Sequence, residues 1–268
     1  MGKFVFFLSL LSVVVVGFGI YEGLRFYRSE FPNVAILKHQ YPVLHRPPPT
    51  GTTDPDSEDD EPAVTFQKAR PAGWVSLSEV SKVATGAILV SEDWAFYQHK
   101  GYDPKQIKEA IKEDWEQRRF ARGASTITQQ VAKNVFLEKD KNLWRKIKEL
   151  YLAVQLEETV GKRKILETYL NVAEWGYGIY GISAASERYF NKSPKDLTAK
   201  EGAFLAMLLP SPKRYSQSFR AKRLTDYGRE TVGEILDKMT QAHYLNDSER
   251  TLALATPLSF ENPAAEAF

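Results

Sequence analysis

Residues 122–134 read Arg-Gly-Ala-Ser-Thr-Ile-Thr-Gln-Gln-Val-Ala-Lys-Asn. On a helix beginning near Ser125, at about 100° per residue, Ser125, Gln129 and Lys133 fall within about 80° of arc. Ile127, Val131 and Val135 fall on the opposite side, about 200–280° round. One face is therefore core. The other presents a hydroxyl, an amide and a cation beside the positive end of a helix dipole, a combination suited to a phosphate or another oxyanion. A capped surface helix with no ligand explains the same pattern at least as well.

Helical spacing continues on both sides of this stretch. Ile107, Ala110, Ile111 and Trp115 recur at i, i+3, i+4 and i+8 behind Asp103-Pro104, an N-cap followed by proline at the first helical position. Leu143, Ile147, Leu150 and Val154 make a second stripe within about 60° of arc. Further helices fit at 162–171, 181–190, 198–209 and 222–242. No alternating run bounded by turn signals indicates a substantial sheet, no repeat is visible and no glycine-rich phosphate loop follows a strand. The reading is a mainly α chain with one folded domain over 72–245.

Composition narrows the chemistry. The 268 residues are 43% hydrophobic and 26% charged, which is ordinary for a globular chain with a real core. There is no cysteine, so thiol catalysis, disulfide frameworks and cysteine-ligated metal are excluded. The four histidines, His39, His45, His99 and His243, form no HExxH pair. A formal charge of +2 carries no signature of nucleic-acid binding.

The N-terminus points to a membrane. Phe4–Ile20 is a 17-residue apolar run broken only by Ser and Gly. At 1.5 Å per residue it is about 26 Å long, enough for a bilayer core of roughly 30 Å with Tyr21 at the interface. A cleaved signal peptide is the competing reading, but no small-x-small site follows. Lys3 on one side and Arg25 and Arg28 on the other leave the orientation open. Residues 47–62, with five prolines and six acids, cannot bury enough surface to offset ordering and read as a solvated linker.

Four stretches hold side chains capable of chemistry. Glu92 follows four apolar residues and Ser91, and it precedes Trp94 and Phe96, a setting in which desolvation raises a carboxyl's pKa toward general-base use. A lone exposed helix-end glutamate is the bland alternative. Ser125–Lys133 is the oxyanion face described above. In Arg145-Lys146-Ile147-Lys148-Glu149 the glutamate lies roughly opposite the Leu143–Val154 stripe, which taken singly reads as a solvated i,i+4 ion pair. Glu174–Gly181 packs three glycines and three aromatics into a tight turn, suited to a sugar face and equally to core packing.

Taken together, these stretches resemble the ordered motifs of glycosyltransferase family 51, the peptidoglycan glycosyltransferases. The matches are EDxxFxxHxG at Glu92–Gly101, RGxSTITQQxxKN at Arg122–Asn134, RKxxE at Arg145–Glu149 and ILExYLN at Ile165–Asn171. A fifth stretch, Leu197–Tyr215, is similar to LTxxExAxLAxLLPxPxxY. The NVAEWGYGIYG stretch looks most like the stand-alone, monofunctional members. No SxxK, SxN or KTG is present, and about 50 residues after Tyr215 leave no room for a transpeptidase domain.

The resemblance implies a lysozyme-like α lobe beside a smaller membrane-apposed lobe, preceded by a single transmembrane helix. It divides the chain into an anchor at 1–30 with a span of about 4–21, a juxtamembrane and linker segment at 31–71, the catalytic domain at 72–245 and a tail at 246–268. It places the N-terminus inside and the domain outside the bacterial cytoplasmic membrane. The implied substrates are lipid II and the growing glycan strand, with other cell-wall synthesis proteins as candidate partners and no nucleic acid. Glu92 would deprotonate the acceptor GlcNAc 4-hydroxyl, and Glu149 would be the second catalytic carboxylate, organising the pyrophosphate side. Ser125, Thr126, Gln129, Gln130, Lys133, Arg145, Lys146, Lys162 and Asn171 match substrate-binding or neighbouring motif positions. A divalent cation, Mg²⁺ or Mn²⁺, is an optional bridge at the pyrophosphate, and no dedicated metal cage is visible. Lys141 stands nearest a position that is often Arg in the family, and lysine lacks the bidentate fork. The mixed aromatic and basic segment Trp115–Gly123 is expected against the lipid surface. Two other classes stay in view: an inactive membrane-anchored scaffold, and a lysozyme-like enzyme that cleaves peptidoglycan.

Overall fold

Every residue from Ala84 to Val90 is buried, and so is every residue from Glu201 to Leu208. Helices apolar on all sides belong at the centre of a domain, with the others arranged around them. A computed structural model of the chain describes residues 2–45, 62–109, 125–138 and 142–261, with side chains from residue 15 onward. The expected linker before Pro62, the segment Trp115–Gly123 and Lys141 lie outside the described residues.

In chain order the elements begin with α1 (Gly2–Glu30), β1 (Tyr41–His45), β2 (Ala63–Gln67) and α2 (Lys82–Glu92). They continue with α3 (Ile127–Phe136), α4 (Leu143–Thr159), α5 (Lys162–Val172), β3 (Glu174–Gly176) and β4 (Ile179–Tyr180). The last are α6 (Ile182–Phe190), α7 (Ala199–Leu208), α8 (Asp226–Gln241) and α9 (Asp247–Ala255). The chain is mainly α, and the described strands form two short antiparallel hairpins, β1–β2 and β3–β4.

Helices α2 and α7 lie against each other, α8 packs on both, and α3 contacts α4 and α5. The α2–α7 approach depends on Gly202, where an added Cβ would come within 2.5 Å of Ala84 Cα. Most starts are capped by side-chain oxygens. Thr126 and Thr198 form capping boxes with Gln129 and Glu201, and Ser81, Asn142 and Thr225 each accept from a first-turn N–H. Helix α8 starts four residues later than its periodicity suggested, because Thr225 supplies the cap and Lys222 is left-handed at φ 51°.

Two expectations change. The segment before residue 72 is more than a tether: Val34 and Leu37 are buried in the main core, and the rings of Tyr41 and Trp74 meet edge-on with centroids 5.1 Å apart. The stripe on α4 faces outward. Leu143 is 78% exposed and Ile147 49%, whereas Glu149, Leu152, Ala153 and Leu156 form the buried side. Among the residues whose side chains are described, no helix is long and apolar enough to cross a membrane. Most of the Phe4–Ile20 run precedes those residues.

Gly202→Ala is expected to lower stability by about 1–3 kcal/mol, because the overpacking at Ala84 outweighs the gain in helix propensity. Urea unfolding of the purified chain reads this directly.

Candidate active site

The C-terminal end of α2, the start of α3, the buried side of α4 and one face of α8 enclose a cleft of about 680 Å³. Glu92 and Gln130 stand on one side of it, with Ser125, Lys133, Arg145, Lys146 and Glu149 completing the polar wall. The rest of the lining includes Met207, Pro210, Tyr227, Thr231, Glu234 and Lys238. A second groove of about 260 Å³ shares Gln130, Lys133, Leu209 and Pro210 with the first and extends it toward Asn134, Glu174 and Tyr180.

Glu92 is the last residue of α2. Burial pushes its carboxyl up from the ordinary 4.5 to about 6, opposed by a hydrogen bond from Gln130 and assisted by the neighbouring Asp93 charge. Gln130 Nε2 donates to Glu92 Oε2 at 2.8 Å, while Gln130 Oε1 accepts from the Tyr169 hydroxyl at 3.2 Å. The result is a desolvated carboxylate whose hydrogen-bond partner is a neutral amide, the setting of a general base.

Glu149 has the opposite surroundings. It is 2% exposed, and Arg145 Nη1 donates to its Oε2 at 3.0 Å while Lys146 Nζ donates to its Oε1. Lys146 Nζ also donates to Ser125 Oγ at 2.8 Å. Burial, together with the positive charges of Arg145 and Lys146, holds Lys133 below its ordinary pKa, and Glu149 partly offsets the fall. Among the described residues, Arg145 Nε is buried without a hydrogen-bond partner. Three cations around one carboxylate leave a net positive pocket, able to take a multiply charged anion.

Both sides are held by Asp93, which is fully buried. Its carboxylate accepts from His99 Nε2 at 2.9 and 3.0 Å and from the Ile127 backbone N–H at the start of α3, at 2.9 Å. His99 Nδ1 accepts from Gly101 N–H, so the ring proton lies on Nε2, facing Asp93. Thr126 Oγ1 donates to Gly101 O at 2.7 Å. Gly101 has φ 98°, and a Cβ there would come within 2.8 Å of the Ala153 backbone on α4. Glycine is required for both reasons.

Of the residues expected from the motifs, the cleft brings together Glu92, Ser125, Gln130, Lys133, Arg145, Lys146 and Glu149. Thr126 and Gln129 do not line it, because their side chains and backbones bond each other in the α3 capping box. Lys162 is drawn away to Glu157 at 2.7 Å, with its ammonium 4.3 Å from the centre of the Phe96 ring. Asn171 donates to the carbonyls of Val75 and Glu167 and accepts from Val75 N–H, pinning the 74–77 strap. Asp93, His99 and Tyr169 were not expected at the site. Asp93 and His99 stand inside the first motif and Tyr169 inside the fourth, so the spacing of the buried polar positions was the available signal. The α8 wall follows from a helical register, residues 227, 231, 234 and 238, that no motif marks.

The family model described as Transglycosylase matches residues 59–240. The chain belongs to the transglycosylase family. This transglycosylase is 40% identical over 170 residues to a biosynthetic peptidoglycan transglycosylase of Nitrosomonas eutropha, covering 62% of this chain and 70% of the relative. It is 49% identical over 153 residues to one of Shewanella denitrificans, covering 56% of this chain and 66% of the relative. Penicillin-binding protein 1A of Vibrio cholerae is 33% identical over 259 residues, which is 96% of this chain but 30% of that protein.

Glu92 carries a stability cost in the transglycosylase. Its folded-state pKa of about 6 exceeds the unfolded 4.5, so the fold holds the proton longer and stability falls as pH rises through that window. Glu92→Gln is therefore expected to stabilise the protein at pH 8 by up to about 2 kcal/mol and to change little at pH 4, as read by thermal unfolding at the two pH values.

Proposed function

We propose that this transglycosylase polymerises lipid II into β-1,4-linked glycan strands at the outer face of the bacterial cytoplasmic membrane. The carrying observation is the pairing, in one cleft, of a desolvated carboxylate with no cation on it among the described residues and a separate three-cation pocket. Glu92 takes the proton of the acceptor 4-hydroxyl as that oxygen attacks C1 of the donor MurNAc. The bond from C1 to the phosphate oxygen breaks, the sugar inverts from α to β, and the lipid diphosphate leaves with its electron pair. A diphosphate needs positive charge rather than a proton to depart, and Lys133, Arg145 and Lys146 supply it. Arg145 Nε, which has no partner among the described residues, is a donor suited to a phosphate oxygen. Glu149 keeps Arg145 and Lys146 in place, and Ser125 holds Lys146 from the other side. The groove past Asn134, Glu174 and Tyr180 is the path for the growing strand.

The donor set does not fit a protein-bound Mg²⁺ or Mn²⁺. Both oxygens of Glu149 are taken by cations, and among the described residues no cluster of three or more His, Cys, Asp or Glu could hold a metal. A divalent cation at this site belongs with the oxygens of the diphosphate.

The lysozyme-like lobe with a membrane-apposed partner, and the single-pass anchor with its N-terminus inside, are part of the same reading. Its support is the apolar run of α1 and the way α1 ends. The Tyr27 and Tyr151 hydroxyls meet at 2.7 Å, the Phe31 and Tyr151 rings lie 4.7 Å apart, and Glu30 accepts from Trp144 Nε1 and Lys148 Nζ. The exposed stripe Leu143, Ile147 and Leu150 continues from this joint on α4, giving an apolar surface for the lipid. Cell-wall synthesis proteins are the partners this placement suits.

Full-length protein in detergent with labelled lipid II is expected to form lysozyme-sensitive polymer, with kcat/KM falling tenfold per pH unit below about 6 as Glu92 protonates. Glu92→Gln abolishes it, and Glu149→Gln lowers it by about 10²-fold or more, since an unpaired cation cluster replaces an ordered one. Cleavage of preformed glycan would identify a hydrolase. Folded protein with no turnover would identify a scaffold. For the membrane reading, brominated lipid in vesicles is expected to quench a fluorescence component of the full chain that Trp144→Phe removes.

A further inference from the structure

The mechanism uses Glu92 and its partner Gln130 but gives no task to the phenol behind them. Tyr169 lies on α5, wholly buried, outside both grooves, and its hydroxyl donates to Gln130 Oε1 at 3.2 Å. A glutamine side chain has two unlike ends. With Nε2 toward Glu92 it donates to the ionised carboxylate and favours it. Turned by 180°, its carbonyl would face Glu92 and favour the protonated carboxyl, which cannot act as a base.

We propose that Tyr169 is a positioning residue that locks the Gln130 amide with its NH₂ toward Glu92, and so holds Glu92 ready as the base. Among the described residues, the phenol proton has no other acceptor than Gln130 Oε1. Turning the amide would orphan a buried O–H as well as set a carbonyl against a carboxylate, and each is costly. Burial and the nearby Glu92 and Asp93 charges raise Tyr169 well above the ordinary phenol range, so it stays a donor throughout turnover. The other charged or titratable groups around Glu92 are Asp93 beside it, Lys133, Arg145, Lys146 and Glu149 in the same cleft lining, and Tyr227, Glu234 and Lys238 on α8. All of these are unchanged when only the phenol oxygen is removed.

The inference rests on the polymerase reading. Its test is the pH profile of kcat/KM for lipid II, measured on full-length wild type, Tyr169→Phe, Gln130→Met and the double variant. Tyr169→Phe is expected to move the acid limb up by about half to one pH unit, a loss of about 3–10-fold on the acid side that recovers at high pH. Gln130→Met moves the limb at least as far, and the double variant moves it no further, because both act through one bond. A folded Tyr169→Phe whose limb stays at the wild-type pH, or whose activity drops equally at every pH, overturns the proposal. If Tyr169→Phe does not fold, an unmoved limb in Gln130→Met overturns it. Wild type that forms no polymer overturns the functional reading and this inference with it, whereas wild-type polymer with an unmoved limb overturns only the inference.

Discussion

A carboxylate removed wholly from water is stable only when its oxygens are occupied, and Asp93 satisfies this by tying three segments together. His99 reaches it from the turn after α2, and the Ile127 N–H reaches it from the first turn of α3, where an anion is also favoured by the helix dipole. Glu92 immediately precedes Asp93, and Ser125 lies two residues before Ile127. The base and the start of the cationic wall are thus held to one another through a group that faces neither. The same turn meets α4, since Gly101 leaves no room for a side chain against Ala153, four residues beyond Glu149. The base, the α3 start and the second carboxylate all take their places from this one buried knot.

The knot lets two glutamates a short way apart behave differently. Glu92 has lost water and gained only an amide, so its proton affinity rises. Glu149 has lost more of its exposure but is held by a guanidinium and an ammonium, and both of its oxygens serve to organise those donors. Breaking the second arrangement by removing one partner leaves uncompensated buried charge, which is why such clusters tolerate little change. On the proposed reading, the chemistry uses this contrast: a neutral environment where a proton is collected, and a positive one where negative charge departs.

The helices and most of the cleft-facing charges were legible in the chain because they follow short-range periodicity and ordered motifs. The start of α3 near Ser125 and the apolar face of Ile127, Val131 and Val135 are examples. What was hidden depended on partners distant in sequence. Gln129 shares the arc of Lys133, yet a capping box takes its side chain because Thr126 stands three residues before it. Asn171 and Glu167, one turn apart on α5, fasten the 74–77 strap, and nothing near them in the chain announces that strap. The α8 wall has no motif, and its register matters only once packing on α2 and α7 brings it into the cleft that Glu92 lines.

Helix α4 is the strongest case of local pattern misleading, and the reason bears on how the enzyme meets its substrate. By periodicity its apolar stripe belongs in the core and Glu149 in solvent. The fold inverts this: the carboxylate faces inward with its cations, and Leu143, Ile147 and Leu150 face out beside the docked end of α1. Such an inversion is unfavourable in water, since it exposes apolar surface and buries charge. It becomes consistent if the outer face meets hydrocarbon and the inner face meets a diphosphate. A helix is only about 10 Å across, so on the proposed reading its two faces set the lipid-facing surface and the phosphate pocket one helix width apart. A substrate whose charged head is joined directly to a lipid tail requires that proximity, and a substrate free in water does not.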